Sequence, residues 1–203
     1  MWALTFILGC YYLLTYEHTP GASALSAKKW PVSSVLNRSS QKYTLVLHIH
    51  PQCPCSQATI TELTKIIERI GTKSDIFALV YLPRGYQDEW AKQDLWNELS
   101  KVPQIHILID RVGAEARKFG AQTSGQVFVY KPDGRLGFSG GITGSRGHEG
   151  DNRGEDAVIS LISTGVVLAD ETPVFGCHLF KDSHPEKDVN KIKRDNHADH
   201  ISH

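Results

Sequence analysis

Short apolar runs alternate with stretches of helical periodicity from Lys42 onward. The runs are rich in β-branched and aromatic residues, and the stretches between them repeat apolar residues every three or four positions. The predicted strands are residues 43–50, 75–82, 105–110, 126–131 and 136–141. The predicted helices are residues 58–71, 88–100, 114–119 and 155–162. Strands that alternate with helices predict an α/β fold whose sheet begins parallel.

The last two predicted strands are joined by a tight turn, Pro132-Asp133-Gly134-Arg135. Proline followed by Asp-Gly favours a β-turn and therefore a hairpin, whose strands pair antiparallel. The predicted fold class is accordingly α/β, with a mixed sheet flanked by helices.

Residues 1–16, MWALTFILGCYYLLTY, form an apolar segment without a charged side chain. It is short for a membrane span and long for the apolar part of a signal peptide. Lys28 and Lys29 lie beyond it, after a small-x-small cleavage pattern at residues 22–24. We therefore predict that residues 1–27 are a membrane anchor or a cleaved signal. Either one would place the rest of the chain outside the cytoplasm, in the periplasm or its equivalent.

Composition limits the domain count and the partners. A chain of 203 residues can form one ordinary core, which we assign to residues 28–180. Residues 181–203 are polar enough to predict a disordered tail. The 22 basic side chains balance the 22 acidic ones, and no basic cluster is interleaved with aromatic residues, so nucleic acid is not an expected partner.

Two of the four cysteines, Cys53 and Cys55, lie between the first predicted strand and its helix, in LHIHPQCPCSQATITEL. If Cys53 is the residue that caps the helix, Pro54 occupies the first helical position, which suits proline. The free amide groups of a helix N-terminus stabilise a thiolate, so Cys53 is the predicted nucleophile. A disulfide between Cys53 and Cys55 would close a small, strained ring and would be easily reduced.

The same thiols also suit a metal site. His48 and His50 alternate with Ile49 and so share one face of a strand, immediately before the cysteines. Thiolates with an imidazole are ligands that suit Cu(I). The alternative prediction is therefore a copper site formed by His50, Cys53 and Cys55. A third interpretation treats the cysteines as small buried side chains.

The element order, with a Cys-Pro turn between a strand and its helix, resembles the thioredoxin-like superfamily from Trp30 to Leu179. The stretches HPQCPCSQATITEL, FGAQTSGQVFVYKPDGRLGFSGGIT and PVFGCHL are most similar to its redoxin branch, related to alkyl hydroperoxide reductase and TlpA-type proteins. Within that branch they resemble the membrane-anchored bacterial proteins labelled RedB. The resemblance implies a thioredoxin-like sheet, redox-active cysteines and a C-terminal Gly-Cys segment that folds back over the sheet.

That resemblance draws attention to two further positions. Cys177, in the Gly-Cys segment, could resolve an oxidised Cys53, complete a metal site or simply pack in the core. Ser124 occupies the position where the superfamily usually carries a cis-proline facing the active cysteines. The absence of that proline weakens the simple exchange interpretation and favours the metal alternative.

A glycine-rich loop from Gly140 to Gly150 precedes the last predicted helix, and it lacks the spacing of a phosphate-binding motif. Arg146 or His148 in this loop could supply a positive group near the thiols. Asp151 or Asn152 could cap the helix that follows.

Three functions remain open from the sequence. The first is an extracytoplasmic thiol–disulfide oxidoreductase in which Cys53 attacks and Cys55 resolves, with Cys177 as a further catalytic candidate. It needs no cofactor, and its substrates are protein thiols and disulfides or a peroxide. The second is a copper carrier or metal-site assembly protein, and the third is a non-catalytic interaction module.

Overall fold

The computed structural model describes residues 2–180, so the predicted disordered tail lies outside the described residues. A five-stranded sheet has the order β3-β2-β1-β4-β5. Its strands are β1 (Tyr43–Ile49), β2 (Ser74–Leu82), β3 (Ile105–Arg111), β4 (Gln126–Tyr130) and β5 (Leu136–Gly140). Every predicted strand is present, with bounds that differ by one residue at most.

The sheet is parallel on one side of β1 and antiparallel on the other. β1 pairs parallel with β2, and β2 pairs parallel with β3. β4 pairs antiparallel with both β1 and β5. The prediction of a sheet that begins parallel and ends antiparallel is confirmed. A mixed five-stranded sheet flanked by helices fits the thioredoxin-like fold that the resemblance implied.

The helices are α1 (Trp2–Glu17), α2 (Ser56–Ile70), α3 (Asp94–Ser100), α4 (Ala114–Phe119) and α5 (Arg153–Thr164). The stretch 88–100, predicted as one helix, contains a 3₁₀ turn over Asp88–Trp90 and then α3. The break occurs because Gln93 has an extended backbone, with φ −105° and ψ −158°. None of the helices among residues 2–180 combines the length and the apolar content needed to cross a membrane.

The sheet buries side chains on both faces. Leu45, Leu47 and Ile49 of β1 pack in one cluster with apolar residues of α2 and α5. Val46, between them in sequence, packs in a second cluster that contains Phe128. This alternation follows from the period of two along a strand. Because both faces of the sheet are filled by apolar side chains, loops can bring polar side chains together only at the ends of strands such as β1 and β4.

The segment before the sheet, residues 18–30, is here called the N-terminal strap because it crosses the domain. Gly21 N–H donates to Val174 O at 2.8 Å, and Ala27 N–H donates to Phe119 O at 3.1 Å. The hydroxyl of the buried Tyr130 donates to Ala27 O at 2.8 Å. The hydrogen bonds to the domain therefore extend before Lys28, the residue at which we predicted the domain to begin.

A variant that starts at Lys28 is therefore expected to be less stable than one that starts at Thr19. Each strap hydrogen bond contributes about 1 kcal/mol, and a buried hydroxyl left unpaired adds a further cost. The expected loss in free energy of unfolding is about 2–4 kcal/mol, measured by urea denaturation. Since both variants lack α1, their difference isolates the strap. Equal midpoints for the two variants would show that the strap contributes nothing.

Candidate active site: a cluster of three cysteines

Cys53 lies in the turn between β1 and α2. The prediction that Cys53 caps the helix is wrong: α2 begins at Ser56, and the capping position is occupied by Cys55. The reason is a tight turn before the helix, in which Ser56 N–H donates to Cys53 O at 3.1 Å. Pro54 therefore lies within this turn and not at the first helical position. Cys53 still lies at the N-terminal end of α2, as predicted.

Cys177 lies in the C-terminal segment and meets the other two cysteines. The sulfur atoms of Cys53, Cys55 and Cys177 all lie within 4.8 Å of one another, and all three are reduced. The Cys177 N–H points to Cys53 Sγ at 3.4 Å. The Cys177 carbonyl accepts a hydrogen bond from Ser124 N–H at 2.8 Å. The three cysteines predicted as site residues thus form one group, here called the thiol cluster.

Gly176 allows this close approach of the C-terminal segment. A Cβ atom at this position would lie 2.0 Å from the carbonyl oxygen of Ser124. No side chain can be accommodated at that distance. A larger residue at position 176 would therefore push the segment, and Cys177 with it, away from Cys53.

Hydrogen bonds stabilise Cys53 as a thiolate. They lower the pKa of Cys53 to about 4, the strongest coming from the Cys177 thiol, although burial acts in the opposite direction. The Ser56 hydroxyl and the backbone N–H groups of Cys177 and Cys55 also donate to its sulfur. Four donors around one sulfur outweigh its burial. Cys53 is therefore the thiol of the cluster that carries negative charge near neutral pH.

The other two thiols of the cluster stay protonated. Burial and then the negative charge of Cys53 raise the pKa of Cys55, and the nearby Arg146 opposes them. Donation of its proton to Cys53, together with burial, raises the pKa of Cys177. The cluster therefore consists of one thiolate flanked by two thiols, and a thiolate is the form of cysteine that attacks in thiol exchange.

Ser124 occupies the position where a proline was expected, and both its hydroxyl and its backbone N–H form hydrogen bonds. Its hydroxyl accepts from His50 N–H at 2.8 Å and lies 2.7 Å from the Ser56 hydroxyl. Ser124 and Ser56 thus form a hydroxyl pair beside Cys53, whose thiolate Ser56 stabilises. The Ser124 N–H holds Cys177, and a proline has no N–H to donate. No peptide bond among residues 2–180 is cis.

The substitutions Ser124→Pro and Ser124→Ala are expected to differ in the position of Cys177. Both remove the hydroxyl, but only proline removes the N–H that holds the Cys177 carbonyl. Loss of one such hydrogen bond corresponds to about a tenfold change in the population of the displaced segment. Cys177 alkylation, followed by peptide mass spectrometry, should be about tenfold faster in Ser124→Pro than in Ser124→Ala. Equal rates in two variants that both melt cooperatively would contradict this role.

The two candidate histidines lie apart from the cluster of sulfur atoms. The His50 ring stacks on Tyr81 at 5.8 Å, and its Nδ1 accepts from Gln52 N–H at 3.2 Å. Burial is the main cause that lowers the pKa of His50. The group among the described residues whose ligand atoms are close enough to hold a metal ion is made of the three cysteines and does not contain His50.

His48 is an unusual buried histidine. It is 1% exposed, it packs between Phe119 and Phe128, and neither ring nitrogen has a hydrogen-bond partner. Burial lowers its pKa to about 3, so the ring is neutral near pH 7. His48 is thus a core residue at this end of β1 and does not contact the thiols.

The glycine-rich loop contributes Arg146 to the site. Its guanidinium donates to Gly176 O, and it also forms a hydrogen bond with the Cys55 thiol. His148, the other candidate, pairs with Glu17 at 3.4 Å instead. Asn152 caps α5 by accepting from the N–H groups of Gly154 and Glu155. Of the two positive groups considered from the sequence, Arg146 is therefore the one that reaches the thiols.

An open groove leads to Cys53. It lies between the turn that carries Cys53 and the start of α3. Its lining is uncharged apart from one carboxylate and consists of Pro51, Gln52, Cys53, Pro54, Gln57, Gln93, Asp94 and Leu95. Cys53 itself is only 1% exposed. A reacting sulfur or oxygen atom would reach it through this groove.

Ser56 is a site residue that the sequence reasoning missed. Its side chain is 1% exposed and donates to the Cys53 sulfur. A signal was present, since a hydroxyl side chain directly follows Cys55, three residues from the predicted nucleophile.

Comparisons with known proteins support the fold. No family model and no curated protein matches the chain. A structure of a hypothetical protein from Sinorhizobium meliloti 1021 is similar at 16% identity and a TM-score of 0.60, covering 79% of this chain and 98% of that one. A conserved protein from Geobacillus kaustophilus is similar at 15% identity and a TM-score of 0.56, covering 82% and 94%.

A more distant likeness, with a TM-score of 0.43 and 13% identity, covers 62% of this chain and 82% of a secreted Mycobacterium tuberculosis disulfide oxidoreductase. A likeness this distant carries no argument about the chemistry of the present chain. The narrower resemblance to the RedB group stays a prediction.

Proposed function

We propose that this protein is a thiol–disulfide oxidoreductase whose nucleophile is Cys53. The observation that carries the proposal is the thiol cluster, in which a sulfur stabilised as a thiolate lies within 4.8 Å of two protonated thiols. A thiolate is the form of cysteine that attacks a disulfide, and a second close thiol is needed to release the product.

The exchange proceeds in two steps. Cys53 attacks one sulfur of a substrate disulfide, so that a Cys53–substrate bond forms and the other substrate sulfur leaves as a thiolate, which takes up a proton. A second cysteine of the cluster then loses its proton and attacks Cys53 Sγ. This closes a disulfide within the protein and releases the second substrate sulfur. Two electrons pass to the substrate, and the same steps in reverse oxidise a dithiol.

Cys55 is the proposed resolving thiol. It lies beside the guanidinium of Arg146, whose positive charge favours the thiolate that must attack. Cys177 instead donates its proton to Cys53, so its main role in the resting state is to stabilise the nucleophile. The strained ring between Cys53 and Cys55 would make the product disulfide easy to reduce.

Equilibration in glutathione buffers tests the proposal. The protein is incubated over a range of reduced-to-oxidised glutathione ratios, trapped by acid and alkylated, and its disulfides are counted by mass spectrometry. We expect one two-electron transition within the thiol cluster, with Cys10 unchanged as an internal control. If all three thiols stay reduced in the most oxidising buffer, the proposed function is wrong.

Copper binding is the second candidate, favoured by the close approach of three sulfur atoms. Soft thiolates are ligands that suit Cu(I), and the third donor would be Cys177 where the sequence suggested His50. Titration with Cu(I) against a competing chelator distinguishes the two functions. Stoichiometric binding that is lost in Cys177→Ser and kept in His50→Gln, in a protein inert to glutathione, would favour this candidate.

The proposed substrates are protein thiols and disulfides, with a peroxide as the alternative. Incubation of the reduced protein with hydrogen peroxide and with a reducible protein such as insulin compares the two. Insulin reduction without rapid peroxide consumption is the expected result.

We propose that the domain works outside the cytoplasm, held at a membrane by the apolar N-terminal segment. The proposal is supported by the absence of charged side chains from Trp2 to Tyr16 and by Lys28 and Lys29 beyond it. A topology reporter fused at Arg194 should read extracytoplasmic exposure. A cytoplasmic signal from that fusion would overturn the proposal.

A further inference from the structure

Arg146 contacts the end of α1 and the C-terminal segment that carries Cys177. Its Nε donates to Tyr16 O at 3.2 Å, and its guanidinium carbon lies 4.9 Å from the centre of the Tyr16 ring. Its backbone N–H donates to Glu17 O at 3.1 Å. Another nitrogen of the same guanidinium donates to Gly176 O, next to Cys177 in the chain. One side chain thus joins the end of α1 to the segment that carries Cys177.

The Gly176–Cys177 backbone is held from two sides. Ser124 N–H holds the Cys177 carbonyl at 2.8 Å, and Arg146 holds the Gly176 carbonyl. The peptide N–H between those two carbonyls is the one that points to Cys53 Sγ at 3.4 Å. Fixing both carbonyls fixes the direction of this N–H and the position of the Cys177 backbone beside Cys53.

We infer that Arg146 is a positioning residue of the thiol cluster, which keeps Cys177 within bonding distance of Cys53. This inference rests on the proposed thiol chemistry and adds a residue to it. Arg146 also contacts the Cys55 thiol, but its effect on Cys177 acts through the backbone of Gly176. Arginine suits the task because its planar group offers several donors in fixed directions, whereas lysine offers a single ammonium group.

The test isolates the Cys53–Cys177 pair in a Cys55→Ser background. In that protein the only disulfide within the cluster joins Cys53 and Cys177. Its formation oxidises the two thiols by two electrons and reduces one molecule of oxidised glutathione to two of the thiol. The equilibrium constant with glutathione then measures how well the protein holds the two sulfurs together. No substrate protein is needed, so the result is independent of catalytic turnover.

Three variants are compared in this background. Arg146→Gln should lower the equilibrium constant about tenfold, because the charge-assisted hydrogen bond to Gly176 O is lost. Arg146→Lys should restore part of the loss. His148→Gln is the matched control, since it lies in the same loop and pairs with Glu17 but touches no cysteine, and its constant should equal that of the parent.

Two results would overturn the inference. One is an unchanged constant in Arg146→Gln, and the other is an equal fall in His148→Gln, which would indicate a general effect of the loop. Urea denaturation of each reduced variant gives the fraction of protein that is unfolded. The tenfold fall in the equilibrium constant with glutathione must exceed the change that this unfolded fraction would cause. If the parent pair forms no disulfide although the full cluster does, the inference fails and the proposed function stands.

Discussion

Replacement of Cys53 by Ser is expected to abolish thiol exchange, whereas replacement of Cys55 by Ser should trap substrate proteins. Without Cys53 the cluster has no stabilised thiolate, so attack stops. Without Cys55 attack continues but the proposed resolving step is lost, and mixed disulfides accumulate. The expected loss of exchange rate for Cys53→Ser is at least about a thousandfold. The measurement is insulin reduction, together with non-reducing gels of cell extracts.

Cys10→Ser is the matched control for both substitutions, because Cys10 lies on α1 and outside the thiol cluster. It should exchange at the parent rate. Cys177→Ser tells the two possible resolving thiols apart: if this variant traps substrates and Cys55→Ser does not, Cys177 performs the second step. Exchange at the parent rate by Cys53→Ser would refute the assigned nucleophile.

The alkylation rate of Cys53 is expected to be nearly independent of pH between 6 and 8. With a pKa of about 4, Cys53 is already a thiolate throughout this range. An ordinary thiol with a pKa of about 8.5 gains thiolate nearly in proportion to hydroxide, so its rate rises almost a hundredfold over two pH units. Iodoacetamide labelling with peptide mass spectrometry measures the rate at Cys53 as a function of pH.

The same cysteine in protein unfolded by urea supplies the comparison and should show the steep rise of an ordinary thiol. The absolute rates of the folded and unfolded protein at pH 7 discriminate less well, because a lower pKa also reduces the intrinsic nucleophilicity of the thiolate. The shape of the pH profile is therefore the decisive observable. A Cys53 rate that rises tenfold for each pH unit up to 8 would show that its thiolate is not stabilised.

The same pKa shifts make the reduced protein less stable in acid. The folded pKa of Cys53 is lowered, so its contribution to stability is complete above the unfolded value near 9 and is lost as the pH falls toward about 4. His48 acts in the same direction. Its pKa falls from 6.5 to about 3 on folding, so the unfolded chain binds a proton between these values while the folded chain does not.

The fold was largely predictable because its elements have clear periods. Alternating apolar residues such as Leu45 and Leu47 mark β1, and helical spacing from Ile60 to Ile70 marks α2. The interpretation that Pro54 is the first helical residue placed the start of α2 two residues too early, because a tight turn and a first helical turn use similar residues, and Pro54 suits both. The first residue of a helix depends on single hydrogen bonds, here the one from Ser56 N–H to Cys53 O. The spacing of apolar residues along the sequence does not reveal such a bond.

The site was predictable only where its residues are neighbours in sequence. Cys53 and Cys55 attract attention by spacing alone, whereas Cys177 lies 124 positions from Cys53 and its place depends on how the C-terminal segment crosses the sheet. The missing proline at Ser124 was noticed, but its reason is a backbone N–H that only the folded chain uses. Arg146 could not be preferred over His148, because the choice depends on which side of the loop faces the thiols.

The thiol cluster contains an odd number of sulfur atoms, while disulfides consume them in pairs. The three sulfurs lie within 4.8 Å of one another when reduced, so any disulfide within the cluster would leave one thiol beside the bond, and that thiol can attack the bonded sulfurs and move the bond. If the cluster is oxidised as proposed, we expect a set of isomers that interconvert without an external reagent. The ratio of the Cys53–Cys55 and Cys53–Cys177 isomers depends on two free energies. One is the strain of the small ring in the first, and the other is the cost of ordering the Cys177 segment in the second. Every isomer keeps one thiol in the cluster.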